Sequence, residues 1–436
     1  MNERDIHMRM RVADASAAGL ILIELPDGGT RWEFGTAGVA NVATTTQVLR
    51  PQQTACGVGL HAPRSFAVGH LLLAERWLVG IPLAGSKNAC EQCLRVCAWS
   101  PVNTDCSMGC GARYCSETCR ADAWRQHHCL LCTAQSSDIA ASGGAPLQVK
   151  AHPLAVFIKH ARMAPSVLQQ KPEEILLAAR MMAMIALHDA AAPAATTGAF
   201  APERNASRSV VPAPFDQLSS YCVVGAARAA VSGHQMVSAA GATHGPGGQD
   251  ASLFATRSKW LGDSYRLLAA SALGRHPSFR SHCPPHVYSH CLGLIDRNGA
   301  SASALSAASV HAARAAAKVG SIAAAAAVTS SRGGGMVEGI GIYPTFSFAN
   351  HSCEPNAVNA KGPRDGDAAM DCSLVLRACK PIEAGEEIVF DYLDTAHDSA
   401  ASSSGCASQP SASERRARLQ EHFGFLCECP ACSSSR

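Results

Sequence analysis

Residues 339–356 read GIGIYPTFSFANHSCEPN and residues 385–394 read GEEIVFDYLD, and around these two stretches the 436-residue chain reads as short strands and turns. From Met336, MVEGIGIYPTFSF is followed by CSLVLRACKPIEAGEEIVFDYLD, in which two β-patterned runs flank a turn at Ala384 and Gly385. Taken singly, the polar residues say little. An Asn350-His351 pair is most often a turn, and a tyrosine at a strand end, as at Tyr392, is most often a core or edge residue. GEEI immediately before Tyr392, with NHSCEPN some thirty residues upstream, raises both above that background.

Downstream, a Ser- and Ala-rich loop over 395–413 leads into RRARLQEHFGFLCECPAC. Its Cys427, Cys429 and Cys432 (C-x-C-x2-C) offer three metal ligands and need a fourth, for which Cys353 of NHSCEPN is the candidate. Such a site pins the chain end against Asn350 and His351. Upstream, nine of the 20 cysteines fall between Cys90 and Cys132. Cys90 and Cys93 are spaced C-x2-C, Cys106 and Cys110 C-x3-C, and Cys115 and Cys119 C-x3-C; WRQHHCLLC then supplies His127, His128, Cys129 and Cys132. Eight thiolate or imidazole ligands fill two closed tetrahedral sites, the geometry of structural zinc. About three structural zinc ions are therefore expected. Spacing alone leaves open whether His127 or His128 and Cys129 or Cys132 are ligands; H-x3-C favours His128 with Cys132, with Cys97 and Cys129 left over.

No apolar run approaches the roughly 18 to 20 residues that span a bilayer, and the opening MNERDIHMRMR carries Asp and Glu without a signal-type apolar stretch. The expectation is a soluble, intracellular protein with no membrane partner. That compartment is reducing, which favours metal over disulfides for the clustered cysteines. With 37 Lys and Arg against 34 Asp and Glu, charge points to no nucleic-acid groove and does not separate nucleus from cytoplasm.

KPEEILLAARMMAMIALHDAA from Lys171 is the clearest helix, with Pro172 and two glutamates in its first turn; further helices are expected near 151–163, 252–273 and 284–296. The segments from Ala191 (AAPAATTGAFAPERNASRSVVPAP) and from Ser232 (SGHQMVSAAGATHGPGGQD) read as disordered loops. The Ala- and Ser-rich stretch 300–331 divides evenly between helix and disorder, because Ala favours helix but supplies nothing large to dock it. From Cys56, CGVGLHAPRSFAVGHLLLAERWLVGIP reads as short strands joined by tight turns.

In this order, GVGL at 57–60, the cysteine cluster at 90–132, NHSCEPN, GEEIVFDYLD and the cysteine tail resemble the SET and MYND domain protein lysine methyltransferases. The resemblance implies an α+β fold: a SET domain of small twisted β-sheets, split by a MYND zinc finger and a helical insertion, with a post-SET zinc-bound tail. The implied divisions are an N-terminal extension without assigned role (1–55), a first SET segment (56–89), the finger (90–132), a helical insertion with disordered loops (133–335), a second SET segment (336–394), a flexible loop (395–413) and the post-SET cluster (414–436). In the family the cysteine pairs interleave. That places Cys90, Cys93, Cys115 and Cys119 on one ion, and Cys106, Cys110, a histidine and a last cysteine on the other. The second pair has one residue more than the family spacing, and the family distance from the sixth cysteine points to His127 rather than His128.

The resemblance further implies S-adenosylmethionine as methyl donor and a protein with an exposed lysine as acceptor, histone or otherwise, in the nucleus or the cytoplasm. Tyr392 is then the tyrosine at which donor and lysine meet. Gly57, Val58, Gly59, Leu60, Asn350, His351, Tyr392 and Phe425 surround the cofactor, the glycines because lack of a Cβ lets backbone approach a ligand. Tyr343 and Phe390 are candidates for the lysine channel, though core packing suits them as well. Free lysine, with a pKa of about 10.4, must lose its proton before it can attack, which a narrow apolar channel beside a sulfonium favours. Transfer itself needs no metal, so the zinc ions are scaffolding. The family's C-terminal helical repeats have no counterpart after Cys432, which implies a more open cleft. A rival reading keeps the SET and MYND architecture without turnover, as a zinc-dependent module that recruits a peptide partner through the finger.

Overall fold

The structure, a computed structural model, describes residues 20–24, 30–34, 50–54, 57–86, 88–97, 104–134, 152–164, 170–191, 211–216, 218, 248–306, 309, 336–360, 370–393, 410–423 and 425–433. Two compact units divide the chain: one holds Val79–Ser303 and Met336–Ile342, the other Ile21–Leu78 and Tyr343–Arg436, with 304–335 assigned to the second. Among the described residues no helix is long and apolar enough to cross a membrane.

The unit containing the cysteine cluster is mainly helical. Its described helices of ten or more residues are α2 (Pro153–Arg162), α3 (Pro172–Ala191), α4 (Gly248–Ala269) and α5 (Pro285–Asn298), preceded by the short α1 (Glu117–Ala123). At the start of α3 the Glu174 carboxylate accepts the Lys171 N–H at 2.9 Å, satisfying one of the donors a helix leaves open there. Ile175, Leu177, Met181, Met182 and Ile185 of α3 are all buried, so this helix is the centre of the unit's core. Arg180 leaves that core at its polar end. Its guanidinium donates to the carbonyls of Gly80 (2.6 Å) and Glu91 (2.7 Å) and pairs with the Glu91 carboxylate, tying α3 to the loop between Cys90 and Cys93.

Beside α3 lies a three-stranded sheet of β6 (Val79–Pro82), β8 (Met336–Ile342) and β7 (Gly299–Leu305), in the order β6-β8-β7. β7 corrects the expectation for 300–331: the first six residues of the Ala- and Ser-rich stretch, 300–305, lie in a strand. An open edge on β8 outweighs the helix propensity of Ala, and small side chains at Ala302 and Ala304 are buried there. Apart from residue 309, the remainder of that stretch from 307 lies outside the described residues. The two segments expected to be disordered lie largely outside them as well, and both lose an end. Val211 is fully buried near the end of the first, with Phe215 fully buried directly after it, and the last three residues of the second, from Gly248, start α4.

The other unit carries β3 (Arg50–Thr54), β4 (Gly57–His61), β12 (Glu387–Phe390) and β9 (Asn350–His351), hydrogen-bonded in the order β3-β4-β12-β9. A second sheet has the order β10-β11-β5, from Ala357–Asn359, Leu374–Ala378 and Leu71–Glu75, and a separate pair joins β1 (Leu20–Glu24) to β2 (Thr30–Phe34). The runs that flank Gly385 therefore enter different sheets. Gly385 makes the turn with a φ of +83°, a conformation that costs a residue without Cβ little. The last residues of the N-terminal extension are part of the fold, since β3 pairs along the whole of β4. Residues 395–409 of the expected loop lie outside the described residues. Its last two residues start α6 (Ala412–Phe423), where Ser411 and Glu414 form a reciprocal capping box: each backbone N–H donates to the other's side chain, at 2.7 and 3.2 Å.

Candidate active site and metal centres

β12 is the strand that assembles the site. It runs antiparallel to β4, with Ile388 opposite Leu60, and parallel to β9, with Val389 opposite Asn350 and Phe390 opposite His351. GVGL, GEEI and Asn-His, distant in sequence, thus become neighbouring strands. Strand side chains alternate between faces, so Gly57 and Gly59 share one face of β4, and Leu60, fully buried, faces the other way. Beyond the end of β12, Tyr392 donates its hydroxyl to the Ala349 carbonyl at 2.7 Å. Its ring centroid lies 4.8 Å from Phe390, 4.9 Å from Phe423 and 6.2 Å from Phe425, the last edge-on. Burial, with the Glu387 charge adding to it, pushes the Tyr392 phenol well above its ordinary value, so the hydroxyl stays protonated. The Asn350 amide donates to Glu387 Oε1 at 2.7 Å.

His351 has a side chain only 1% exposed, and burial lowers its pKa while the nearby Asp391 charge opposes the shift. Nδ1 accepts the Tyr392 backbone N–H at 3.1 Å, and Nε2 lies 3.3 Å from Cys353 Sγ. Tyr343, one of the channel candidates, belongs to the core: it is fully buried and donates its hydroxyl to the Cys372 carbonyl at 2.6 Å. Phe390 is partly buried and packs 4.6 Å from Phe346, between it and Tyr392.

Two residues without an expected role hold these strands in place. Asn356, last of NHSCEPN and 5% exposed, donates to Glu386 Oε1 (3.0 Å) and the Glu387 carbonyl (2.8 Å), and accepts the Val389 N–H (2.9 Å). Glu75, at the end of β5, takes the backbone N–H groups of Thr345 and Phe346 on its two oxygens, both at 2.8 Å. Burial raises its pKa in spite of those bonds. A carboxylate ending the apolar run LLLAE was a legible sign, since a charge on such a strand needs partners.

Three clusters of ligand atoms converge, each with every donor within 4.8 Å of the others: Cys90, Cys93, Cys115 and Cys119; Cys106, Cys110, His128 and Cys132; and Cys353, Cys427, Cys429 and Cys432. Sulfur separations of 3.5 Å (Cys93 to Cys115), 3.6 Å (Cys115 to Cys119), 3.8 Å (Cys106 to Cys132) and 3.6 Å (Cys353 to Cys432) are far too long for a disulfide. They match the edge of about 3.8 Å in a tetrahedron built on zinc–sulfur bonds of about 2.3 Å. The all-sulfur and sulfur-with-imidazole donor sets suit about three structural zinc ions, which would supply the cross-links that hold these loops.

Local structure explains each cluster. Leu94, with φ +62° in the left-handed region, turns the chain after Cys93, and the Leu94 N–H returns to the Cys90 carbonyl at 2.9 Å. Ser116 caps α1 by accepting the Cys119 N–H at 3.1 Å, which sets Cys115 and Cys119 one turn apart. A π-helical turn over Trp124–His128 brings His128 Nε2 within 3.3 Å of both Cys106 and Cys110. His127 is buried outside the ligand set, and Cys97 and Cys129 are outside it too. In the tail, Leu419 of α6 packs with Cys427 and Cys432, and Arg416 Nε donates to the Cys427 carbonyl at 3.0 Å.

A family model described as SET domain matches residues 202–393, opening inside the expected helical insertion and leaving 56–89 outside. The histone-lysine N-methyltransferase SMYD3 of Mus musculus is 36% identical over 97 residues, covering 22% of this chain and 18% of that protein. A SET and MYND domain-containing protein of Dictyostelium discoideum is 37% identical over 94 residues, 22% of each chain. The protein-lysine N-trimethyltransferase SMYD5 of Gallus gallus is 37% identical over 95 residues, covering 22% of this chain and 19% of that protein. The matches thus span about a fifth of each relative's length. The chain carries a SET domain and is similar to the SET and MYND domain-containing lysine methyltransferases.

Proposed function

We propose that the protein transfers a methyl group from S-adenosylmethionine to the side-chain amine of a protein lysine, with Tyr392 as the catalytic residue. The observation that carries this reading is the adjacency, on β4, β12 and β9, of GVGL, GEEI and Asn350-His351, with Tyr392 at the end of the central strand. The relatives' printed activities, histone-lysine and protein-lysine methylation, point to the same acceptor class.

The donor supplies an electrophilic methyl on a sulfonium; the chain's own residues supply position. Gly57 and Gly59 present backbone without a Cβ, Val58 and Leu60 lie on the same strand, and Asn350 and His351 flank the other side, with Phe425 packed 6.0 Å from the His351 ring. Tyr392 acts as an acceptor. Its proton is committed to the Ala349 carbonyl, so its oxygen lone pairs are available to an N–H of the incoming amine, turning the nitrogen lone pair toward the methyl. A phenol that stays protonated is no base, so the lysine gives its proton to solvent before the neutral amine enters the site beside the sulfonium.

The zinc finger over 90–132 and the tail over 414–436 serve as scaffolds, and the finger is also the place for a peptide partner. The implied compartments are nucleus and cytoplasm. Calorimetric titration with S-adenosylmethionine tests the cofactor half: wild type and Tyr392→Phe should bind and Asn350→Ala should bind at least tenfold more weakly. A wild-type protein that binds none refutes the reading.

A further inference from the structure

We propose that His351 is a positioning residue that couples the tail metal centre to Tyr392. One ring nitrogen faces the ligand Cys353 and the other holds the backbone of Tyr392. The catalytic half of this inference rests on the transferase reading. The metal half rests only on the donor set.

The direction of both bonds follows from the donors available. A backbone N–H can only donate, so Nδ1, which takes the Tyr392 N–H at 3.1 Å, carries no proton. The proton of the neutral ring therefore sits on Nε2, 3.3 Å from Cys353 Sγ, and is donated to sulfur. A metal-bound thiolate is the better acceptor, and outer-shell donors of this kind orient ligands and tune the ion they hold. Asp391 acts on the ring as a nearby charge and not as a hydrogen-bond partner: its Oδ1 lies 3.7 Å from Nδ1 and accepts the Leu393 N–H at 3.0 Å.

The rest of the surroundings fix the ring. Its centroid packs 5.3 Å from Tyr392 and 6.0 Å from Phe425, the aromatic two residues before Cys427. Arg415 Nη2, 3.7 Å from Cys432 Sγ, meets the negative sulfur cluster from α6. Cys353, His351 and Tyr392 thus form one chain of hydrogen bonds, and a change at either end reaches the other. Release of the ion frees Cys353 to move, deprives Nε2 of its fixed acceptor and leaves the Tyr392 backbone on a ring no longer held.

Two substitutions in the full chain separate the halves. In His351→Asn, the side-chain oxygen replaces Nδ1 and falls short of Cys353; in His351→Gln, the amide nitrogen replaces Nε2 and no acceptor remains at the Nδ1 position. Zinc content is followed under chelator competition, and hydrogen exchange of a peptide spanning 425–433 assigns the released ion to the tail. The Asn protein should lose that ion at a chelator concentration about 10- to 100-fold lower than wild type, and the Gln protein within a few-fold of it. The Tyr392 amide should exchange faster in the Gln protein than in the Asn protein. kcat should fall more in the Gln protein, with the KM for cofactor moving less than kcat in both. Zinc affinity and Tyr392 protection that change together in both variants, or that do not change, overturn the proposal. The zinc and exchange measurements need no turnover, so a wild type without transferase activity would refute the proposed function and leave this coupling to be decided by them.

Discussion

Replacing Asn356 by Ala removes the side chain that joins the Asn-His segment to β12. Three hydrogen bonds disappear, and two of the orphaned groups are backbone: the Glu387 carbonyl and the Val389 N–H. An unsatisfied buried backbone group costs about 1–3 kcal/mol, so the pair costs about 2–6 kcal/mol. Glu386, the third partner, is exposed and regains water, which adds little and admits solvent at that end, placing the expected loss at about 2–4 kcal/mol. That is a large part of the roughly 5–15 kcal/mol that holds a typical domain. Urea unfolding of the zinc-loaded proteins gives the difference, and hydrogen exchange at Val389 localises it. Because Tyr392 lies three residues beyond Val389, transfer should fall along with protection there. A loss below about 1 kcal/mol with unchanged exchange at Val389 would show that the strand pairing does not depend on Asn356, and the clamp would be refuted.

Arg180→Met should destabilise the helical unit by about 2–4 kcal/mol, because the Gly80 and Glu91 carbonyls and the partly buried Glu91 carboxylate lose their donor together. The same variant should release zinc from the Cys90 cluster at lower chelator concentration; full retention of both stability and zinc would contradict the linkage. Glu75 predicts a pH dependence. Its folded-state pKa is raised above the ordinary carboxylate value, so its contribution to stability is fully present below that value and is lost as pH rises through the folded-state pKa. As pH rises above the ordinary glutamate value of about 4.3, the stability of wild type relative to Glu75→Gln should therefore decline, measured by urea midpoints, and a flat difference would contradict the assignment.

How far the site could be read from sequence depended on how local its signals were. The cysteine pairs, GEEI before Tyr392 and NHSC were legible because ligand spacing and motif order are properties of neighbouring residues. The preference for His128 over His127 followed from H-x3-C spacing, and the π-helical turn at Trp124–His128 is the backbone feature that brings His128 into the cluster. The strand at Gly299–Leu305 was hidden, since its Ala and Ser content favours helix and only the edge of β8 decides otherwise. Burial of Val211 was hidden for a similar reason: a segment poor in large apolar residues conceals a well-placed one. Asn356 and Glu75 were missed because the groups they satisfy lie about 30 and 270 residues away in the chain.

The most direct measurement is transfer of labelled methyl from S-adenosylmethionine to core histones and to a whole-cell protein extract, with zinc-loaded wild type beside Tyr392→Phe. The phenylalanine keeps the ring packing but removes both the bond to the Ala349 carbonyl and the oxygen proposed to orient the amine. The account predicts label on a protein lysine with wild type and about 10²-fold less with the variant, with cofactor binding and zinc content unchanged. Equal labelling by the two proteins would remove Tyr392 from the reaction, and no labelling by a wild type that binds the cofactor and holds its zinc would contradict the proposed activity.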